Sequence, residues 1–198
     1  MNLTREEARH RSEIIKVERY HVRIDVRGAD ADGATHFTSN TRVRFSTTEP
    51  DTFLDLLDGE IESVIVNGEE VEPEYDGSRI QLHGLHTHRE NLVIVTAKLP
   101  YQHTGQGLHR FVDPADGKVY LYTHFEAADS RRMYSVFEQP DLKAHVDFDV
   151  IAPSDWRVAS NQVHEDIREE EDGLLHDFAL TPRMSTYLTA IAAGPYVR

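Results

Sequence analysis

Strict alternation of apolar and polar positions runs through most of this chain. Tyr20, Val22, Ile24 and Val26 alternate with His21, Arg23, Asp25 and Arg27, the signature of a strand with one buried face. Turn-forming residues 28–33 follow, carrying Gly28, Asp30, Asp32 and Gly33. Phe37, Val43 and Phe45 then share one parity while Arg42 and Arg44 take the other, which predicts a long antiparallel partner. Residues 53–57, 61–66, 78–82 and 92–97 are further strand candidates, separated by Asp58-Gly59, Asn67-Gly68, Asp76-Gly77 and the histidine-rich residues 83–90. Leu54, Leu56 and Leu57 would also fit a helix, and the strand reading is kept. Asn-Gly tolerates positive φ at both positions and marks a tight hairpin. Beyond residue 144, strands are predicted at 145–151, 156–160, 163–168, 174–180 and 187–193.

The helical signal is confined to the start. Thr4 followed three residues later by Glu7 fits a capping box, in which the hydroxyl and the carboxylate satisfy each other's backbone N–H. The segment it opens, to about Ser12, is polar all round and predicts a short, partly exposed helical arm. Strands at regular spacing with no amphipathic helix after residue 13 argue for one all-β domain over residues 1–198. Its architecture is expected to be an antiparallel β-sandwich or saddle-like pair of sheets.

The stretch 105–144 stands apart from this scaffold. A dense β-forming run at 119–125 follows the Asp116-Gly117 turn signal. Period two places Tyr122, His124 and Glu126 on one surface and Leu121, Thr123 and Phe125 on the other, so that a phenol, an imidazole and a carboxylate share a face. The connection 127–144 then mixes Asp129, Arg131, Arg132, Tyr134, Phe137, Glu138 and Asp141 around Pro140. It is too long for a hairpin, and long ordered loops are enriched in function. On residue chemistry alone, Glu126 reads as a strand-end carboxylate paired with Arg131 or Arg132.

Charge and composition narrow the partners. Thirty-five acidic against twenty-one basic residues give a net charge of −14, which repels polyanions, so nucleic acid is not an expected partner and cationic groups are favoured. There is no cysteine, hence no disulfide framework and no thiolate chemistry. A chain of 198 residues buries roughly 70% of its unfolded surface and needs no metal or disulfide staple. The first 25 residues are highly charged, without an apolar signal-peptide core, and no 18-residue apolar span occurs. The expected setting is cytoplasmic, away from membranes.

Two histidine patterns invite a metal reading. His83, His86 and His88 fall within six residues, yet Gly84, Thr87 and Asn91 mark them as a solvated loop, with adventitious zinc binding as the competing reading. His164-Glu165-Asp166-Ile167-Arg168 nearly matches the HExxH zinc signature, but arginine stands where the second histidine must be, and the segment alternates like a strand. No nucleophile elbow, phosphate-binding loop or dinucleotide fingerprint is present. No catalytic residue and no metal ligand is expected in this chain.

Three segments carry a family resemblance: 107–113 (Gly-Leu-His-Arg-Phe-Val-Asp), 120–126 (Tyr-Leu-Tyr-Thr-His-Phe-Glu) and 139–144 (Gln-Pro-Asp-Leu-Lys-Ala). Together with Thr181-Pro182-Arg183-Met184-Ser185-Thr186-Tyr187-Leu188 and Gly194, they resemble the N-terminal domain of the aminopeptidase N family of zinc metallopeptidases, the bacterial members above all. The resemblance spans about residues 17–196. It implies a domain that caps one side of a peptide cleft, with Glu126 in a Thr-Gln-x-Glu type motif binding the free α-amino group of the substrate. His124 stands in place of the usual glutamine as a second substrate contact, and Phe137-Glu138-Gln139-Pro140-Asp141 is a variant of the family's usual loop, with Asp141 and Arg131 as internal partners. It further implies a catalytic domain in cis, absent from these residues, that carries GxMEN and HExxH and binds the zinc. The isolated chain is accordingly expected to bind no zinc and to be inactive. The competing expectation from another class is a non-catalytic β-sandwich module binding a protein or peptide, and a third is a small metalloprotein using the loop from His83 to His88.

Overall fold

In the computed structural model, which describes residues 3–197, the chain opens on α1 (Arg5–Ile14). The capping box forms as its residue types demand: Glu7 N–H donates to Thr4 Oγ1 at 3.1 Å and Thr4 N–H to Glu7 Oε2 at 2.8 Å. Glu7 also meets Arg79 at 2.7 Å, and that hydrogen bond, ahead of those from Thr4, pulls its pKa down to about 2.

Fourteen strands follow among the described residues: β1 (Ile15–Asp25), β2 (His36–Thr47), β3 (Thr52–Asp55), β4 (Glu60–Val66), β5 (Glu69–Val71), β6 (Arg79–Leu82), β7 (Asn91–Pro100), β8 (Gly107–Val112), β9 (Val119–His124), β10 (His145–Ala152), β11 (Arg157–Ser160), β12 (His164–Glu170), β13 (Gly173–Phe178) and β14 (Ile191–Gly194). They form an eight-stranded sheet in the order β12-β13-β10-β1-β2-β7-β4-β5, a four-stranded sheet β11-β14-β9-β8, and the pair β3-β6. The all-β architecture with one short N-terminal helix is therefore the one the alternation predicts.

Several details differ from the sequence reading. β1 begins at Ile15, directly off the helix, and absorbs a register shift between Val17 and Arg19. It pairs with β10 in parallel, Arg19 opposite His145 through Asp25 opposite Ile151, the one parallel ladder in an otherwise antiparallel sheet. β5 and β8 lie outside the predicted strands. β5 is imposed by its turn, since Asn67 and Gly68 take φ of 54° and 92° and return the chain along β4 even though Glu69 and Glu70 are poor strand formers. β12, exposed along its whole length, closes one edge of the large sheet with His164, Glu165, Asp166, Arg168 and Glu169, a charged rim that resists pairing with another chain.

The core lies on the inner face of the eight-stranded sheet. Tyr20, Val22, Ile24, Val43, Phe45, Val93 and Val95 present one parity inward and are essentially sealed from water. Much of what covers them comes from the long connection: Met133, Tyr134, Val136 and Phe137 are all 0% exposed. Tyr134 meets Tyr20, Phe125 and Phe148 edge-on at centroid separations of 6.1, 6.2 and 6.0 Å, and Phe137 meets Phe45 at 5.0 Å.

Candidate functional site

β9 positions the face that its sequence predicts. Leu121 and Phe125 are buried, while Tyr122, His124 and Glu126 are exposed on the other side. Thr123 locks the strand to its neighbour, its Oγ1 accepting from Ile191 N–H at 2.9 Å. Tyr122 lies over His109 of β8, ring centroids 4.7 Å apart. His109 accepts from Gly105 N–H at Nδ1, 3.0 Å away, so its ring proton sits on Nε2, and burial followed by the neighbouring His103 pushes its pKa down. Tyr122 thus rests on a neutral imidazole.

His124 ends β9 opposite Gly107, and this pairing needs a glycine. Gly107 has a φ of +60°, and a Cβ there would lie 2.8 Å from Arg132 Cβ and 3.1 Å from Gln102 Cγ. Two residues beyond His124, Glu126 projects into solvent. Among the described residues its carboxylate makes no hydrogen bond or ion pair. Arg132, one of the two partners its residue chemistry suggests, is taken by Asp129 at 2.7 Å and Asp58 at 3.5 Å. The Glu126–Ala127 peptide is cis.

What holds the backbone after Glu126 is a buried polar network that the sequence reading missed. Glu138, 6% exposed, accepts from Ser130 Oγ at 2.6 and 2.5 Å, from Arg131 N–H at 2.7 Å and from Thr186 Oγ1 at 3.2 Å. Burial raises its pKa, and the bonds from Ser130 and Arg131 oppose that rise. Its carboxylate therefore fastens the 3-10 turn Ser130–Arg132 that follows the exposed segment. Glu138 N–H in turn donates to Asp55 Oδ2 at 3.1 Å, and Asp55 faces Arg11 Nη1 at 3.3 Å. Arg11, 2% exposed, is stacked over Phe53 at 4.1 Å and lies 5.3 Å from the Phe137 ring. The N-terminal arm is thus polar in sequence but anchored by a buried cation. The one legible signal for Glu138 was its place between Phe137 and Gln139 in the loop variant already noted.

Further bonds stitch the connection to the sheets. Asp55 and Val136 exchange backbone bonds of 2.7 and 3.0 Å, Leu57 N–H reaches Arg131 O at 2.8 Å, and Phe137 N–H donates to Tyr20 Oη at 3.0 Å. Asp141 does not serve as the partner of Arg131. It accepts from Ser12 Oγ at 2.5 Å, which ties the end of the connection to α1, because the helix runs alongside and brings a hydroxyl within reach.

The histidine loop does not converge. His83 turns to Asp51 at 3.0 Å and Glu74 at 3.6 Å, while His86 Nε2 faces Arg89 at 2.7 Å. His164 and Arg168 lie on β12, where extended geometry separates them. Among the described residues, no group of three or more histidine, aspartate or glutamate side chains is placed to hold a metal ion, and no helix is long and apolar enough to cross a membrane.

The family profile described as the peptidase M1 N-terminal domain matches residues 18–188, which includes the exposed Tyr122, His124 and Glu126 face and the loop behind it. The chain belongs to this family. As an M1 N-terminal domain it is 43% identical to aminopeptidase N of Streptomyces lividans over 199 residues, covering 98% of this chain and 22% of that protein. It is 30% identical to the probable aminopeptidase 1 of Saccharolobus solfataricus over 178 residues, 87% of this chain and 21% of the relative. Aminopeptidase N of Rattus norvegicus is 32% identical over 89 residues, 43% of this chain and 9% of the relative. The M1 N-terminal domain described here therefore spans about a fifth of the length of the first two relatives.

Proposed function

We propose that this chain is the substrate-cleft domain of a zinc-dependent aminopeptidase, a hydrolase that removes N-terminal residues from peptides, with Glu126 as the acceptor for the substrate's α-ammonium group. The observation that carries the reading is the exposed carboxylate of Glu126, unpartnered among the described residues, two positions beyond His124 and held by a segment whose own backbone is fastened from below by Glu138. Membership of the M1 N-terminal domain family, and relatives named aminopeptidases, support the same assignment.

The chemistry follows from what the residues offer. A carboxylate with no internal partner gives up no existing bond when an ammonium group arrives, and the resulting charge-assisted pair is worth about 1.5–3 kcal/mol. A peptide with a blocked N-terminus cannot form the pair and leaves the carboxylate unmatched, which favours exopeptidase over endopeptidase action. His124 supplies one further hydrogen-bonding position on the same face. In this reading zinc and the bond-breaking chemistry belong to a catalytic domain in cis, which is also this domain's partner. The isolated chain is inactive in this reading.

The test uses the enzyme that carries this domain together with its catalytic domain. Glu126→Gln lowers kcat/KM for leucine p-nitroanilide by about 10- to 100-fold, the equivalent of one charge-assisted hydrogen bond. An unchanged kcat/KM would remove Glu126 from ammonium recognition. Hydrolysis by the 198-residue chain alone would overturn the division of labour.

A further inference from the structure

The outer face of the large sheet, opposite the face packed against Tyr134 and Phe137, carries three arginines and a histidine arranged by strand register. β1 and β2 set Arg19 opposite Arg44 and His21 opposite Arg42, and β7 continues the two rows with Leu92 beside Arg44 and Ile94 beside Arg42. Arg19 and Arg44, like charges placed directly across neighbouring strands, repel, so this arrangement costs stability unless something neutralises it.

The chain's own acids neutralise it only in part. Asp147 takes both Arg19 at 2.7 Å and His21 at 2.6 Å, and Glu90 takes Arg44 at 2.8 Å. Arg42 has no side-chain hydrogen bond or ion pair among the described residues. In a chain of net charge −14, an arginine without an acidic partner among the described residues, set beside Arg19 and Arg44, is a place where an anion can be held. The same residues enclose a recess of about 280 Å³, lined by Arg19, His21, Arg42, Arg44, Leu92 and Ile94. That is just under the roughly 300 Å³ at which sites for drug-sized ligands begin, so the recess suits a small occupant.

We propose that this recess binds a small amphipathic carboxylate, its anionic group seated between Arg42 and Arg44 and its short hydrocarbon part against Leu92 and Ile94. Arginine's planar fork matches a carboxylate in bidentate geometry, and Arg42 is free to offer it. The two aliphatic side chains, half-buried and on one side of the cations, give the apolar portion a surface that bulk anions such as phosphate do not use.

The experiment is calorimetric titration of the full chain with butyrate, inorganic phosphate and the uncharged butyramide, paired with thermal unfolding. Saturable binding of butyrate is expected, at least threefold tighter than phosphate, with none for butyramide. Arg42→Gln weakens butyrate binding about tenfold while raising Tm in the absence of ligand, because it removes a positive charge with no acidic partner from beside Arg19 and Arg44. Leu92→Ser narrows the gap between butyrate and phosphate without abolishing either. Absence of saturable butyrate binding, equal binding by Arg42→Gln, or a lower ligand-free Tm in that variant would each overturn the proposal.

Discussion

Acid should destabilise this protein through one histidine in particular. His176 on β13 is 4% exposed, its Nδ1 lies 3.2 Å from His164 Nε2, and its Nε2 has no hydrogen-bond partner among the described residues. Burial, then the neighbouring His164 and Arg157, pushes its pKa down to about 4. An unfolded chain would hold the same proton near the ordinary value of about 6.5. The folded pKa is the lower of the two, so the unfolded state binds the proton first. The stability His176 contributes is complete above about pH 6.5 and is lost as pH falls through about 4. A downward displacement of this size corresponds to roughly 3 kcal/mol, a large share of the 5–15 kcal/mol typical of a folded domain. Urea denaturation followed by the fluorescence of the single tryptophan, Trp156, between pH 7.5 and 4 measures it. His176→Gln removes the titration and leaves every other group in place, so the wild-type curve should fall about 3 kcal/mol further than that of the variant. Two curves running parallel across this window would show that protonating His176 carries no such cost.

The buried polar network sets the next expectations. Asp55→Ala strands Arg11 at 2% exposure without its carboxylate and should cost about 3–5 kcal/mol, whereas adding Arg11→Met to it should recover much of the loss, as read from a double-mutant cycle in denaturant. Gly107→Ala places a side chain at φ +60° and within 2.8 Å of Arg132 Cβ, so a loss of about 2–4 kcal/mol is expected by thermal unfolding, with the backbone at His124 disturbed alongside.

Legibility followed the range of the interactions involved. β1, β2 and β7 announce themselves because one face of each is buried, which writes period two into residues such as Val22, Val43 and Val93. The same parity on β9 correctly separates Tyr122, His124 and Glu126 from Leu121 and Phe125. The parallel pairing of β1 with β10 joins residues some 126 apart in sequence, as Arg19 and His145 show, and leaves no local trace. Arg11 and Glu138 were hidden for a different reason. Charged residues are read as solvated by default, and only the three-dimensional placement of Asp55, Ser130 and Phe53 makes their burial tolerable. Glu126 posed the reverse problem: the two arginines nearby in sequence suggested a partner, but Arg132 is consumed by Asp58 and Asp129.

The segment that presents Glu126 is also the plug of the domain, since Met133, Tyr134, Val136 and Phe137 close over the large sheet a few residues later. Most enzymes diversify through loops that can lengthen, shorten or drift while the scaffold stays put. Here that freedom is withdrawn: any insertion or deletion between Met133 and Phe137 would have to be accommodated by the hydrophobic interior itself. If the proposed cleft role holds, specificity is tuned by exchanging single side chains such as Tyr122 and His124, with the length of the buried stretch left alone.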